Sequence, residues 1–211
     1  MKKIIFLITA ILSFSLFTCT SDLYNPNVCF QENVLPVFVS KCSTTGCHNP
    51  TDHKAGYDLT NYDGIMKGIV AKHPYQSDLY NAIRGSHPSM PPNNHPQLSK
   101  LEIDYIKTWI KMGAKNSSNC SGCDTTNYSY NGRIKPLIDS WCLGCHNSGN
   151  ASGGFDFSTY TGVTASITSH RLLGTIQHLS GFSPMPQNTN ALSSCDITAI
   201  EKWIAIGYPQ N

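Results

Sequence analysis

The chain has 211 residues, 40% of them hydrophobic and only 13% charged, where soluble proteins typically carry about 25% charged residues. Fifteen Lys and Arg stand against thirteen Asp and Glu, and two of the basic residues, Lys2 and Lys3, belong to the opening segment. This even balance and the lack of a basic run exclude a nucleic-acid footprint, and no Gly-rich phosphate loop occurs.

The opening MKKIIFLITAILSFSLFTCTSD places Lys2 and Lys3 before an apolar run from Ile4 to Phe17. A membrane-spanning helix needs about 20 apolar residues, so this run reads as the core of an export signal. It ends at Leu16-Phe17-Thr18-Cys19, which resembles a relaxed bacterial lipobox. Residues 1–18 are then a lipoprotein signal peptide and Cys19 the lipidated first residue of an exported, membrane-anchored protein. Ordinary signal cleavage slightly further on is the alternative. Residues 19–29 follow as a tether.

Next comes KCSTTGCHNP, residues 41–50, with four residues between Cys42 and Cys47 and His48 directly after. A metal clip, a Cys42–Cys47 disulfide and a cofactor socket with a widened loop all have to be weighed. In the third case Ser43, Thr44, Thr45 and Gly46 form an outward bulge, with Gly46 free to adopt a backbone angle that other residues resist. Pro36 upstream can open a helix, because its missing N–H is not needed in the first turn. Further on, Ser99 with Glu102 has the pattern of a helix N-cap. Ile103, Ile106 and Ile110 then recur on one helical face, and Gly113 is a left-handed stop. KNSSNCSGCDTTNYS, 115–129, is small and polar, as suits a linker.

The remainder repeats what came before. VLPVFVSKC (34–42) aligns with IKPLIDSWC (134–142), AGYDLTNYDGI (55–65) with GGFDFSTYTGV (153–163), and SMPPNN (89–94) with PMPQNT (184–189). LSKLEIDYIKTWIKMG (98–113) aligns without a gap with LSSCDITAIEKWIAIG (192–207). The second helix thus has Ser193 and Asp196 at its start, Ile197, Ile200 and Ile204 on its face, and Gly207 at its end. A duplication of this length indicates two similar units, each mostly helical with long loops.

In the second copy the cysteine segment tightens to Cys142-x-x-Cys145-His146, the spacing of a c-type haem attachment site. Two cysteines one turn apart can bond the two vinyl edges of one porphyrin, and the adjacent histidine then faces the iron. A half zinc site and a thioredoxin-like pair compete for this motif, but no further ligand pair recurs in both halves. Met90 and Met185 occupy equivalent places, each before a proline that favours an extended backbone. A thioether suits haem iron opposite histidine, although a lone methionine more commonly fills a core. His87 and His178 are reserve ligands, while His53, His73, His95 and His170 read as solvated. Tyr57, Phe155, Tyr62 and Tyr160 are expected to line or edge the pockets, and Trp109 and Trp203 to pack helices.

Of nine cysteines, setting aside Cys19 and the four of the Cys-His motifs leaves Cys29, Cys120, Cys123 and Cys195. Four can pair completely, in three possible connectivities. Joining Cys29 to one linker cysteine and Cys195 to the other is the expectation, with Cys120–Cys123 as an alternative.

The order Cys-x-x-Cys-His, Gly-(Tyr/Phe)-Asp-(Leu/Phe), Met-Pro, then Leu-Ser and a helix with Trp-Ile and Gly resembles the class I c-type cytochrome family, especially exported tandem domains of the planctomycete type. The resemblance covers both halves. It implies an all-α fold of two tandem cytochrome c-like domains at 30–115 and 129–211, joined by a linker at 116–128. It also implies two covalently attached haem c groups, bound through Cys42, Cys47, Cys142 and Cys145, with His48, Met90, His146 and Met185 on the irons. The expected role is carriage of single electrons between redox partner proteins at the periplasm or outer face of the cell envelope. A dihaem peroxidase-like enzyme with one labile distal ligand, or a subunit of a larger oxidoreductase complex, is the alternative. The former requires an open iron position, and both halves supply a methionine.

Overall fold

The computed structural model describes residues 28–118, 120, 123, 124 and 126–211. The signal segment, the lipidation candidate Cys19 and nearly all of the 19–29 tether lie outside these residues. Among the described residues no helix is long and apolar enough to cross a membrane. The fold is helix-rich, with little strand.

Each half opens with a wide helical turn that runs into a short α-helix. Phe30–Val34 leads into α1, Leu35–Cys42, and Tyr130–Ile134 leads into α5, Lys135–Trp141. In both, the first α-helical N–H bonds five residues back, from Leu35 to Phe30 and from Lys135 to Tyr130. The sequence reading starts these helices at the prolines, whereas helical backbone begins several residues earlier. Pro36 and Pro136 cannot donate, and each stands in the first turn of its α-helix, where a missing N–H is tolerated.

Helices α2 (Tyr62–Met66), α3 (Asp78–Ile83) and α4 (Lys100–Lys111) complete the first half. Their counterparts are α6 (Tyr160–Thr168), α7 (Leu172–Ile176) and α8 (Ser194–Ala205). The terminal helices start as their sequences predict. Ser99 and Glu102 form a reciprocal capping box, and the Ser193 hydroxyl accepts from the Asp196 N–H. Gly113 and Gly207 then turn left-handed, at φ 102° and 89°. An all-α expectation needs one amendment. His146–Asn147 (β1) and Asn150–Ala151 (β2) pair antiparallel. The pairing arises because the Asn147 side chain accepts from the Gly149 and Asn150 N–H groups and folds the chain back.

Buried apolar side chains gather into two clusters, one from Val28 to Ala114 and one from Tyr130 to Trp203. Trp109 and Trp203 are nearly sealed, at 2% and 0% exposure, and their indole N–H groups donate to the carbonyls of Lys115 and Pro209, each at 2.9 Å. Tyr62 and Tyr160, expected to line or edge the pockets, pack into this framework. Tyr62 sits edge-on to Phe30 at 5.1 Å, and Tyr160 edge-on to Tyr130 at 5.0 Å. Their hydroxyls donate to the carbonyls of Ala114 (2.8 Å) and Tyr208 (2.6 Å) beyond the terminal helices. A half-buried phenol is favoured by such a partner, and the chain reversal after α4 and α8 supplies it.

Two disulfides bind the connecting segment, Cys29 to Cys120 and Cys123 to Cys195, with Cα separations of 5.6 and 5.5 Å. Each half is thereby fastened to the same short stretch.

Candidate functional site

Cys42 ends α1, and Cys142 follows α5 directly. From there the two halves must cross loops of different length to reach the histidine, and they arrive at the same bond. The His48 N–H donates to the Cys42 carbonyl at 3.1 Å, and the His146 N–H to the Cys142 carbonyl at 3.0 Å. The two extra residues of the first half therefore leave the cysteine–histidine relation unchanged. They project outward as a bulge, with Thr45 and Gly46 exposed and Gly46 at φ 80°.

Specific side chains hold that bulge. Thr44 bonds the Cys47 sulfur through its hydroxyl at 3.6 Å, and its carbonyl accepts from the Cys47 N–H at 3.0 Å and the Asn49 amide at 3.1 Å. The Asp52 carboxylate accepts from the Gly46 N–H and from the Asn49 amide, each at 2.6 Å. These bonds, the Asn49 amide first, hold the Asp52 carboxyl below the usual carboxylate range. In the shorter loop Asn147 plays the corresponding part, donating to the Leu143 carbonyl at 2.9 Å. Neither asparagine stands out in the sequence, although both directly follow the motif histidines.

All four motif cysteines are free thiols, so Cys42 and Cys47 are not bonded to each other. Burial pushes the thiols of Cys42 and Cys142 up to about 12, and it also raises Cys145. Such sulfurs resist becoming thiolates. Among the described residues no three His, Cys, Asp or Glu side chains lie close enough to share an ion. A structural zinc site needs four such ligands brought together, which these residues do not supply.

His48 is oriented as a metal-binding histidine needs to be. His48 Nδ1 pairs with the Lys54 carbonyl at 2.8 Å, which fixes its tautomer and leaves Nε2 available, a common arrangement for metal-binding histidine. His146 Nδ1 is buried without a hydrogen-bond partner. Burial lowers its proton affinity, opposed by the nearby backbone of Phe155 and Ser152, the latter equivalent to Lys54. Both histidine carbonyls are also tied down, accepting from the Leu59 N–H at 2.8 Å and the Phe157 N–H at 2.7 Å.

Aromatic rings stand beside both histidines. Tyr57 stands 6.2 Å from the His48 ring, ring centre to ring centre. In the second half Phe157 stacks on His146 at 4.8 Å, and Phe155 lies behind it, 6.0 Å from Phe157.

Met90 and Met185 occupy matching loops. The Met90 N–H bonds the Ala82 carbonyl and the Met185 N–H the Thr175 carbonyl, each at 3.0 Å. Both Met-Pro peptides are cis. A cleft of about 420 Å³ takes Met90, His87, Ile83, Leu98 and Ile103 into its wall, within the roughly 300–1,000 Å³ usual for small-molecule sites. Cys42, Cys47 and His48 are not part of that wall. Of the two reserve ligands, His87 bonds only its neighbour Ser86, at 3.1 Å. His178 pairs through Nε2 with the Met185 carbonyl at 3.1 Å and so positions the methionine loop.

Half-buried cysteines with an adjacent histidine, held by a shared backbone bond in both halves, are donors whose chemistry fits haem c. Comparison with known families supports this independently: residues 45–94 match the model of a family described as planctomycete cytochrome C. The matched segment contains Cys47, His48, Tyr57 and Met90. The match supports a cytochrome c-type domain in the first half and suggests haem-based electron transfer in general. Comparison with curated proteins and with solved structures returns no match.

Proposed function

We propose that the chain is a dihaem c-type cytochrome that carries single electrons between redox partners at the cell envelope, anchored by lipid on Cys19. The observation that carries this reading is the recurrence, in both halves, of the His-to-Cys backbone bond and of the tethered Met-Pro loop. Cys42 with Cys47, and Cys142 with Cys145, would hold the two groups, while His48 with Met90, and His146 with Met185, would face the two irons. When bound, haem supplies a one-electron couple, and methionine ligation raises its potential.

The chain's own part is to hold ligands that do not rearrange. The Lys54 carbonyl keeps the His48 ring in one tautomer, and His178 keeps the Met185 loop in place. A fixed His/Met pair leaves no open position for peroxide, which favours a carrier over a peroxidase.

Pyridine haemochrome assay with intact mass tests the proposal: two haems and one lipid per chain are expected. Met90→Ala and Met185→Ala should each weaken the long-wavelength methionine-to-iron(III) band, lower the potential of one haem and open it to carbon monoxide. A wild type that binds carbon monoxide readily and consumes peroxide would move the assignment to a peroxidase. Cys19→Ala should release the protein from the membrane fraction.

A further inference from the structure

The two halves meet at their cysteine motifs. Helix α1 packs against α5, and Leu35 through Ser40 are all buried. A helix covered on every side is one that has neighbours on every side, and α5 supplies the outer cover here. Gly144, between Cys142 and Cys145, lies directly on Ser40, two residues before Cys42. A Cβ at Gly144 would overlap the Ser40 carbonyl oxygen and stand 2.7 Å from both its Cα and its carbonyl carbon. Those are backbone atoms, which have no rotamer to move aside. Gly144 does not have positive φ, so close approach, not backbone conformation, is what excludes a side chain. Trp141, one residue before Cys142, packs against both apolar clusters.

Trp141 has no counterpart in the repeat, and Gly144 differs from its counterpart Gly46, which also directly precedes the second cysteine but has φ 80° and nothing packed against it. Position 41 is Lys where position 141 is Trp, and the loop holding Gly144 is replaced in the first half by Ser43–Gly46. What each socket needs for itself recurs in both halves. Trp141 and the close backbone approach at Gly144 occur once, at the contact between the halves.

We infer that Gly144 is a positioning residue that lets the Cys42 and Cys142 segments abut, so that the two haem sites share one internal interface. The inference rests on the dihaem reading. An electron lost at one site is then gained at the other within the same chain, with no proton or co-reactant involved. Sites joined only through a flexible linker would have no fixed separation. Here the contact and the two disulfides hold them together.

Circular dichroism in the Soret region of the full-length, haem-loaded protein tests this, because two chromophores held close at a fixed angle couple to give a paired positive and negative band. The wild type is expected to show this couplet. The Cys42→Ala/Cys47→Ala and Cys142→Ala/Cys145→Ala proteins, with one haem each, should show single bands whose sum does not reproduce it. Gly144→Ala should keep two haems by pyridine haemochrome and lose most of the couplet. Two haems with a spectrum equal to the sum of the single-haem proteins would overturn the inference and leave the dihaem reading standing, whereas one haem per chain would overturn both. If Gly144→Ala does not accumulate, Trp141→Ala decides: loss of the couplet with haem count retained supports the shared interface, and an unchanged couplet overturns it.

Discussion

Asn49 and Asn147 do the same work on loops of different length. Each sends its amide into the stretch between the cysteines and accepts backbone N–H groups from the residues that follow. The longer loop has one further brace, Asp52, which binds the exposed Gly46 N–H and the Asn49 amide. These bonds depress the Asp52 carboxyl in the folded state. A depressed carboxyl contributes stability that is fully present above the ordinary carboxylate range and is lost as the pH falls through its folded value. The melting temperatures of wild type and Asp52→Ala should therefore differ near neutrality and converge in strong acid. A gap that stays constant with pH would show that the carboxylate charge has no part in bracing the bulge.

Among the elements, the short helices α2 and α6 illustrate how closely the loops are fitted. Gly64 and Gly162 pack on the backbone of Asp58 and Asp156, where an added Cβ would overlap the carbonyl oxygen and come within 2.9 and 2.7 Å of the carbonyl carbon. The same aspartates turn their side chains back to cap Thr60 and Ser158. Gly64→Ala and Gly162→Ala are each expected to cost about 1–3 kcal/mol, the usual range for overpacking, measured by urea unfolding. A neutral result would mean that the loop can shift away from the helix. The terminal helices were more legible than these. Their caps, isoleucine faces and glycine stops all lie within α4 and α8 or within two residues of their ends, and local signals of that kind survive in sequence. The glycines of α2 and α6 look like weak helix residues until the facing carbonyls are seen.

Across the whole molecule, the connecting segment acts as a clasp. Cys29–Cys120 spans 91 residues and Cys123–Cys195 spans 72, so each bridge closes a long loop and restricts the unfolded chain strongly. Replacing Cys29 and Cys120 by Ser is expected to lower stability by about 2–5 kcal/mol, read from denaturant unfolding of the haem-loaded protein. Non-reducing peptide mapping should recover Cys29 with Cys120 and Cys123 with Cys195, and a Cys120–Cys123 peptide would contradict the clasp.

The duplication, the motif cysteines and histidines, the paired methionines and the terminal helices could all be read from residue order. Each depends on neighbours within a few positions or on comparing one half with the other. Tertiary structure decided what depends on distant backbone. It placed Tyr62 and Tyr160 in the framework, because the carbonyls of Ala114 and Tyr208 come to meet their hydroxyls. It put Phe157, not Phe155, against His146. It also chose one disulfide pairing from three and set Gly144 on Ser40. Composition and spacing are silent on such contacts, because they form only where separate helices are packed to a common surface.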